Sequence, residues 1–168
     1  DGFKGDRHGS FERESWGIGD KQPAGVVRRN ERQWSAVSQE ELAKMSQEMD
    51  LCEPVNAGSI GANLCISGVP NLSQLPKGTI FKFPSNAELM VEEYNPPCKG
   101  VSKKIASLHT TISGEPLKEN AFSEAAKFSR GLVGVIEVAG EINEGDQFEV
   151  LIYEPPRWLS KIYRNSSQ

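Results

Sequence analysis

Apolar residues recur along this chain in two rhythms, and each predicts a different element. The run Gln33-Trp34-Ser35-Ala36-Val37 alternates and predicts a short strand. Ser38 then stands where a cap would open a helix over residues 39–49, with Glu41 in the capping-box position. Leu42, Met45 and Met49, spaced by three and four, give that helix one apolar face. Between Gly58 and Gly68 glycines punctuate apolar residues, as in a strand with a bulge or a barrel corner. Pro76-Lys77-Gly78 predicts a turn before an alternating strand over 79–83. Leu89 and Val91 mark a further strand over 87–93, which Pro96 and Pro97 end because proline has no N–H for a ladder. Residues 119–129 read as a second helix. Residues 134–139, a turn at 143–146 and residues 147–153 read as a closing hairpin. The first thirty residues are polar and Gly-rich without a sustained period, and predict a long ordered loop.

Short strands at regular intervals, with a couple of helices, predict a mostly β fold: a β-barrel with a few peripheral helices. A length of 168 residues suits one domain, 1–168, with no internal repeat. The 16 glycines and 10 prolines are spread along the chain and so mark turns rather than a linker. Nineteen Lys and Arg against 23 Asp and Glu give a net charge of −4, which argues against a duplex-DNA binder that works by neutralising phosphates. No apolar run approaches the length of a membrane span, so no membrane partner is expected. Three cysteines without CxxC spacing fit neither a disulfide framework nor a zinc ribbon. They point to a reducing, cytoplasmic setting in which at most one thiol has a task.

That thiol is Cys98. It follows Pro96-Pro97 at a strand end and precedes Lys99-Gly100, with Lys103 and Lys104 close behind. Neighbouring ammonium groups favour a thiolate, the form that attacks sulfur or binds metal. Cys52 and Cys65 read as structural residues, Cys65 inside an apolar strand. The second cluster is Gly5-Asp6-Arg7-His8-Gly9, which sets a carboxylate, a guanidinium and an imidazole side by side between glycines. It suits an anion or cofactor pocket, with Arg7 placed for bidentate phosphate recognition, or else an Asp-stabilised turn. His109, in a Ser/Thr stretch, reads as solvent-facing. Neither a Walker loop nor a GxSxG elbow is present.

In order along the chain, these pieces resemble the MOSC domain, the module named after the C-terminal part of molybdenum cofactor sulfurases. The resemblance rests on Gly5–Gly9, Gly58-Ser59-Ile60-Gly61-Ala62-Asn63-Leu64, Leu75-Pro76-Lys77-Gly78, Pro96-Pro97-Cys98-Lys99-Gly100, the Arg130-Gly131 turn through Gly134-Val135, and Gly140 to Asp146. It spans residues 5 to about 153, leaves 154–168 as a C-terminal extension, and is of the stand-alone bacterial type. Two departures are plain: Ala62 replaces an acidic residue usual before the Asn, and the run Arg130 to Gly134 is looser than the family pattern. The resemblance also leads us to expect a first strand before residue 1.

What the resemblance implies is a barrel-like fold with Cys98 carrying sulfur as a persulfide or ligating the molybdenum of a pterin cofactor. Asp6, Arg7, His8, Asn63, Lys99 and Arg130 would line the cofactor pocket, Lys99 and Arg130 meeting its phosphate. The expected function is cofactor binding or sulfur carriage, with a link to reduction of N-hydroxylated compounds. It would make the chain a molybdenum-dependent oxidoreductase or a sulfurtransferase. A pyridoxal-phosphate cysteine desulfurase or a redox protein would be its partner. Two other classes stay open: a non-catalytic binding module on the same barrel, and a cysteine hydrolase with His8 or His109 beside Cys98.

Overall fold

A computed structural model describes residues 1–158. Its strands are β1 (Glu12–Glu14), β2 (Val27–Arg29), β3 (Trp34–Ser38), β4 (Leu64–Ile66), β5 (Ile80–Lys82), β6 (Glu88–Tyr94), β7 (Leu132–Val138) and β8 (Glu149–Leu151). Helices α1 (Gln39–Glu48), α2 (Lys99–Leu108) and α3 (Ala121–Ala125) accompany them. Six strands form one sheet in the order β4-β3-β7-β6-β5-β8, antiparallel throughout except for the β3–β4 pair. That parallel pair needs a crossover, which α1 supplies. Register shifts between β6 and β7 at Glu88/Leu89 and Val91/Glu93 add twist and curl the sheet. The fold is therefore mostly β with few helices, as the strand rhythm predicts, and the sheet has edges at β4 and β8.

The period-2 alternation of the strands decides which side chains go where. Trp34 and Ala36 of β3, Phe81 of β5 and Leu89 and Val91 of β6 enter one core with Phe83 and Leu132. Val37, of the opposite parity on β3, enters a second core with Leu42, Met45 and Met49 of α1, Ile105 of α2 and Phe122 of α3. Trp34 is almost fully buried, and its indole N–H donates to the carbonyl of Val135 at 2.9 Å. Gly134 is what lets the indole lie flat there. A Cβ at this position would stand 2.0 Å from the Met90 carbonyl oxygen and 2.5 Å from a ring carbon of Trp34. We expect Gly134→Ala to lower the unfolding free energy by at least about 2 kcal/mol, because neither backbone nor a buried indole can yield. A denaturant midpoint equal to that of the parent would contradict this packing.

Several expectations are corrected by the structure. The opening loop contains a hairpin, β1 paired with β2, whose strand residues are charged except for Val27 and so lack a hydrophobic period. Residues 57–61 are turns, and only Leu64–Ile66 of the glycine-punctuated stretch is strand. The second predicted helix is confined to Ala121–Ala125. Residues 134–139 and 147–153 do not form a hairpin: β7 lies between β3 and β6, while β8 pairs with β5. Ser38 does cap α1, its Oγ accepting the Glu41 N–H at 3.2 Å. The Glu41 carboxylate, however, turns away from the cap and accepts from Ser73 Oγ at 2.6 Å. Cys65 is exposed on the edge strand rather than packed in the core. Of the expected extension 154–168, residues 159–168 lie outside the described residues. Among those described, no helix is long and apolar enough to cross a membrane.

Candidate functional site

The loop Gly5–Gly9 is built around one carboxylate. Asp6 Oδ1 accepts the His8 backbone N–H at 2.6 Å, and Asp6 Oδ2 accepts from Asn63 Nδ2 at 2.6 Å. Asn63 Oδ1 in turn accepts the Ser35 N–H of β3 at 2.8 Å. From the other side, Asn30 Nδ2 donates to the carbonyls of His8 and Ser10. Gly5 has a φ of +85°, which lets the loop turn back at that point. Asp6 and Asn63 thus fasten the loop to β3 and β4, which makes them structural holders as well as cleft residues.

The His8 N–H, then the Asn63 amide, hold the Asp6 carboxyl below the usual carboxylate range. A group depressed on folding contributes stability above its unfolded pKa and loses it as pH falls through the folded value. As pH falls below about 3.9, the ordinary Asp value, the His8 amide should therefore lose exchange protection. Asp6→Ala, which removes both acceptor oxygens, should produce the same loss at neutral pH. Unchanged protection of that amide in either case would contradict the fastening.

Opposite this loop, Cys98 is the N-cap of α2, and its Sγ accepts the Val101 N–H at 3.5 Å. Helix N-termini stabilise negative charge, so the fold offers the sulfur a setting suited to an anion. Cys98 is exposed and opens onto a cleft of about 750 Å³. Asp6, Arg7, His8, Asn63 and Arg130 line the same cleft. Lys99 does not; from α2 the cation that lines it is Lys104. Ala62 packs against the helical-side core and is also absent from the lining. Neither imidazole hydrogen-bonds to Cys98 among the described residues: His8 meets Asp6 at 3.4 Å, and His109 Nδ1 meets the Glu53 carbonyl at 3.1 Å. No cysteine–histidine dyad is assembled.

Arg130 is the residue whose state the sequence does not reveal. It is only 6% exposed, and its Nη2 donates to the Ile60 carbonyl at 2.8 Å. Its Nη1 is buried with no hydrogen-bond partner among the described residues. No carboxylate pairs with Arg130 among the described residues, unlike half-buried Arg13, which pairs with Asp20 and Glu31. Burial lowers the pKa of the Arg130 guanidinium and the nearby Arg32 adds to this, while negative charge on Cys98 opposes it. Its orientation is set from behind: the Gly131 N–H donates to Ser73 Oγ at 2.7 Å, and Ser73 donates to Glu41. Gly131 itself has φ +109°, and a Cβ there would stand 2.1 Å from the Ala36 oxygen. A buried, unpaired guanidinium lining a cleft is complementary to an anion.

Other cleft residues carry no motif and escape sequence reasoning: Trp16, Arg13, Arg32 and Asn95. A lone tryptophan in a polar, Gly-rich stretch was the available signal for the first. Among the described residues no group of three His, Cys, Asp or Glu side chains could hold a metal by itself. A metal at Cys98 would therefore have to arrive with other ligands of its own. The residues present, one exposed thiol beside a buried guanidinium with an unpartnered Nη1, fit a metal carried by an anionic organic cofactor.

Comparison with known proteins bears on the family and the fold. A protein of Bacillus subtilis (strain 168), YuaD, named for a suggested role in metal-sulfur cluster biosynthesis, is 34% identical over 125 residues. The match covers 74% of this chain and 63% of YuaD, so the chain spans less than two thirds of that relative's length. A crystal structure of the Bacillus subtilis YuaD protein superposes with a TM-score of 0.82 at 31% identity, covering 91% of this chain and 82% of that one. The family model for the MOSC domain matches residues 6–149, nearly the whole described chain, and the chain belongs to the MOSC domain family.

Proposed function

We propose that the cleft binds an anionic, phosphate-bearing ligand of the molybdenum-pterin class and that Cys98 carries sulfur to it. The observation that carries this reading is Arg130, buried and unpartnered at Nη1 beside an exposed cysteine that caps a helix. Arg130, with Arg32 and Lys104 nearby in the lining, supplies the positive charge that a phosphate requires. The α2 N-terminus supplies the N–H of Val101 to an anionic Cys98 sulfur. In the loading step, the Cys98 thiolate attacks the outer sulfur of a donor persulfide. The new S–S bond forms on Cys98 as the donor's S–S bond breaks, and the donor leaves as a thiolate. A pyridoxal-phosphate cysteine desulfurase is the class of donor that presents such a persulfide.

When bound, a molybdenum-pterin group would supply redox chemistry at the metal, and reduction of N-hydroxylated compounds is the reaction class we assign to it. Cys98 is the residue that would hold its metal, and Arg130 its phosphate. The name of YuaD, with its metal-sulfur theme, points toward sulfur handling as well. A non-catalytic module would be expected to have buried its thiol away from any cavity; Cys98 is exposed and borders one. The reading is tested by expressing the protein in a host competent for molybdenum-pterin synthesis and measuring molybdenum and pterin per chain. Loading in the parent and its loss in Cys98→Ala are expected. Equal molybdenum and equal sulfur uptake in both proteins would defeat the proposal.

A further inference from the structure

The β1–β2 hairpin arches beside the cleft and holds Trp16 at its rim. Trp16 is 63% exposed, yet its surroundings are built with care. Its backbone N–H donates to Asp20 Oδ2 at 3.1 Å. Asp20 is also gripped by Arg13 and Arg28, and both arginines reach Glu31 just after β2. Ser15, buried next to Trp16, donates through its hydroxyl to the Gln22 carbonyl at 2.5 Å and through its N–H to the Val26 carbonyl. Salt bridges from Arg29 to Glu92, and from Lys21 and Arg32 to Glu93, tie the hairpin to β6. The Arg13 guanidinium lies over the indole at 4.0 Å from its centroid, and Arg32 stands at 5.7 Å.

An exposed indole on so firm a mount is a pre-organised flat surface, and it lines the same cleft as Cys98 and Arg130. Arg32 links the two ends, lying near both the indole and the Arg130 guanidinium. We infer that Trp16 is the ring-recognition residue of the cleft: it stacks on a planar heteroaromatic ring of a ligand whose phosphate is held at Arg130. The inference rests on the anion-binding reading of the cleft and names the second half of the ligand. Stacking of a fused heterocycle on tryptophan is tolerant of the ring's substituents, so Trp16 selects for flatness, while Arg130 selects for charge.

The test uses guanosine 5′-monophosphate, whose guanine shares the 2-amino-4-oxopyrimidine ring of a pterin, against ribose 5-phosphate, which has the phosphate but no aromatic ring. Calorimetric titration of the parent should give at least about tenfold tighter binding of the nucleotide. In Trp16→Ala that preference should fall to near unity while ribose 5-phosphate affinity stays unchanged; Trp16→Phe should keep most of it. A preference that persists in Trp16→Ala, or equal binding of the two probes by the parent, overturns the role of Trp16 and leaves the anion cleft standing. Failure of the parent to bind either probe overturns the cleft reading itself and this inference with it. Because Trp16 is largely exposed, Trp16→Ala should lose no more stability than the one Arg13 cation–π contact gives and Trp16→Phe should unfold close to the parent, which separates binding from folding.

Discussion

Replacing Arg130 with methionine should weaken anion binding by about tenfold or more while leaving the ligand-free protein nearly as stable as before. The guanidinium is buried and, among the described residues, has an unpartnered Nη1 and no carboxylate partner. Removing it therefore costs little beyond one hydrogen bond to the Ile60 carbonyl, about 1 kcal/mol. Against that cost stands relief from holding an unpaired charge out of water, so the net change in stability should stay within about 1 kcal/mol. Binding should behave differently. A charge-assisted hydrogen bond to phosphate contributes about 1.5–3 kcal/mol, so affinity for ribose 5-phosphate should fall about tenfold to more than a hundredfold. Isothermal calorimetry and thermal unfolding of the same samples separate the two effects. A large loss of stability with binding intact would mean that Arg130 is a structural strut.

The second large effect concerns Cys98. Cys98→Ser should fold as well as the parent, because serine is a favoured N-cap and its Oγ can accept the Val101 N–H that Sγ accepts now. It should nonetheless lose persulfide loading altogether, since an alkoxide is not available near neutral pH and no S–S bond can form. Serine thus keeps the cap and removes the chemistry, which makes it a cleaner probe than alanine. Cyanolysis after incubation with a cysteine desulfurase and free cysteine would report the loss. Undiminished sulfur uptake by the serine variant would assign the chemistry to another thiol.

Much of the fold was readable where a hydrophobic period coincides with a local signal. Strand β3 and helix α1 follow from alternation that changes to a three-four spacing at Ser38. Strands β5 and β6 follow from alternation bounded by prolines and glycine. Helix α2 was hidden because its cap is a cysteine rather than Ser, Thr, Asp or Asn, and Gly100 suggests a loop. Its Val101 and Ile105, four apart, were the remaining sign. The β1–β2 hairpin was hidden because ion pairs of Arg13, Arg28, Asp20 and Glu31 hold it rather than an apolar stripe. The partner of β8 was not readable because chain order does not specify sheet order; β8 closes on β5, not on its neighbour β7. Cys65 looked internal because its neighbours are apolar, but on an edge strand the alternation leaves it exposed.

For the site, the address of Cys98 was legible from its prolines and following lysine. The lining residues Asp6, Arg7, His8, Asn63 and Arg130 were legible as ordered motifs of a family resemblance. What the sequence does not contain is the absence of a partner for Arg130 Nη1. That is a property of tertiary packing around Ile60, Arg32 and Cys98. The position of Trp16 is likewise set by contacts with Asp20 and Arg13, which no local pattern announces.

All three cysteines are exposed, and this makes the central claim directly measurable by competition within one molecule. Trypsin separates them, since residues 83–99 carry Cys98 alone while residues 45–77 carry both Cys52 and Cys65. After incubation with a cysteine desulfurase and free cysteine, followed by alkylation, each peptide can be weighed for one added sulfur atom. The account predicts that the added sulfur is on the 83–99 peptide, with the 45–77 peptide at background. Equal labelling of both peptides, or labelling confined to 45–77, would contradict it.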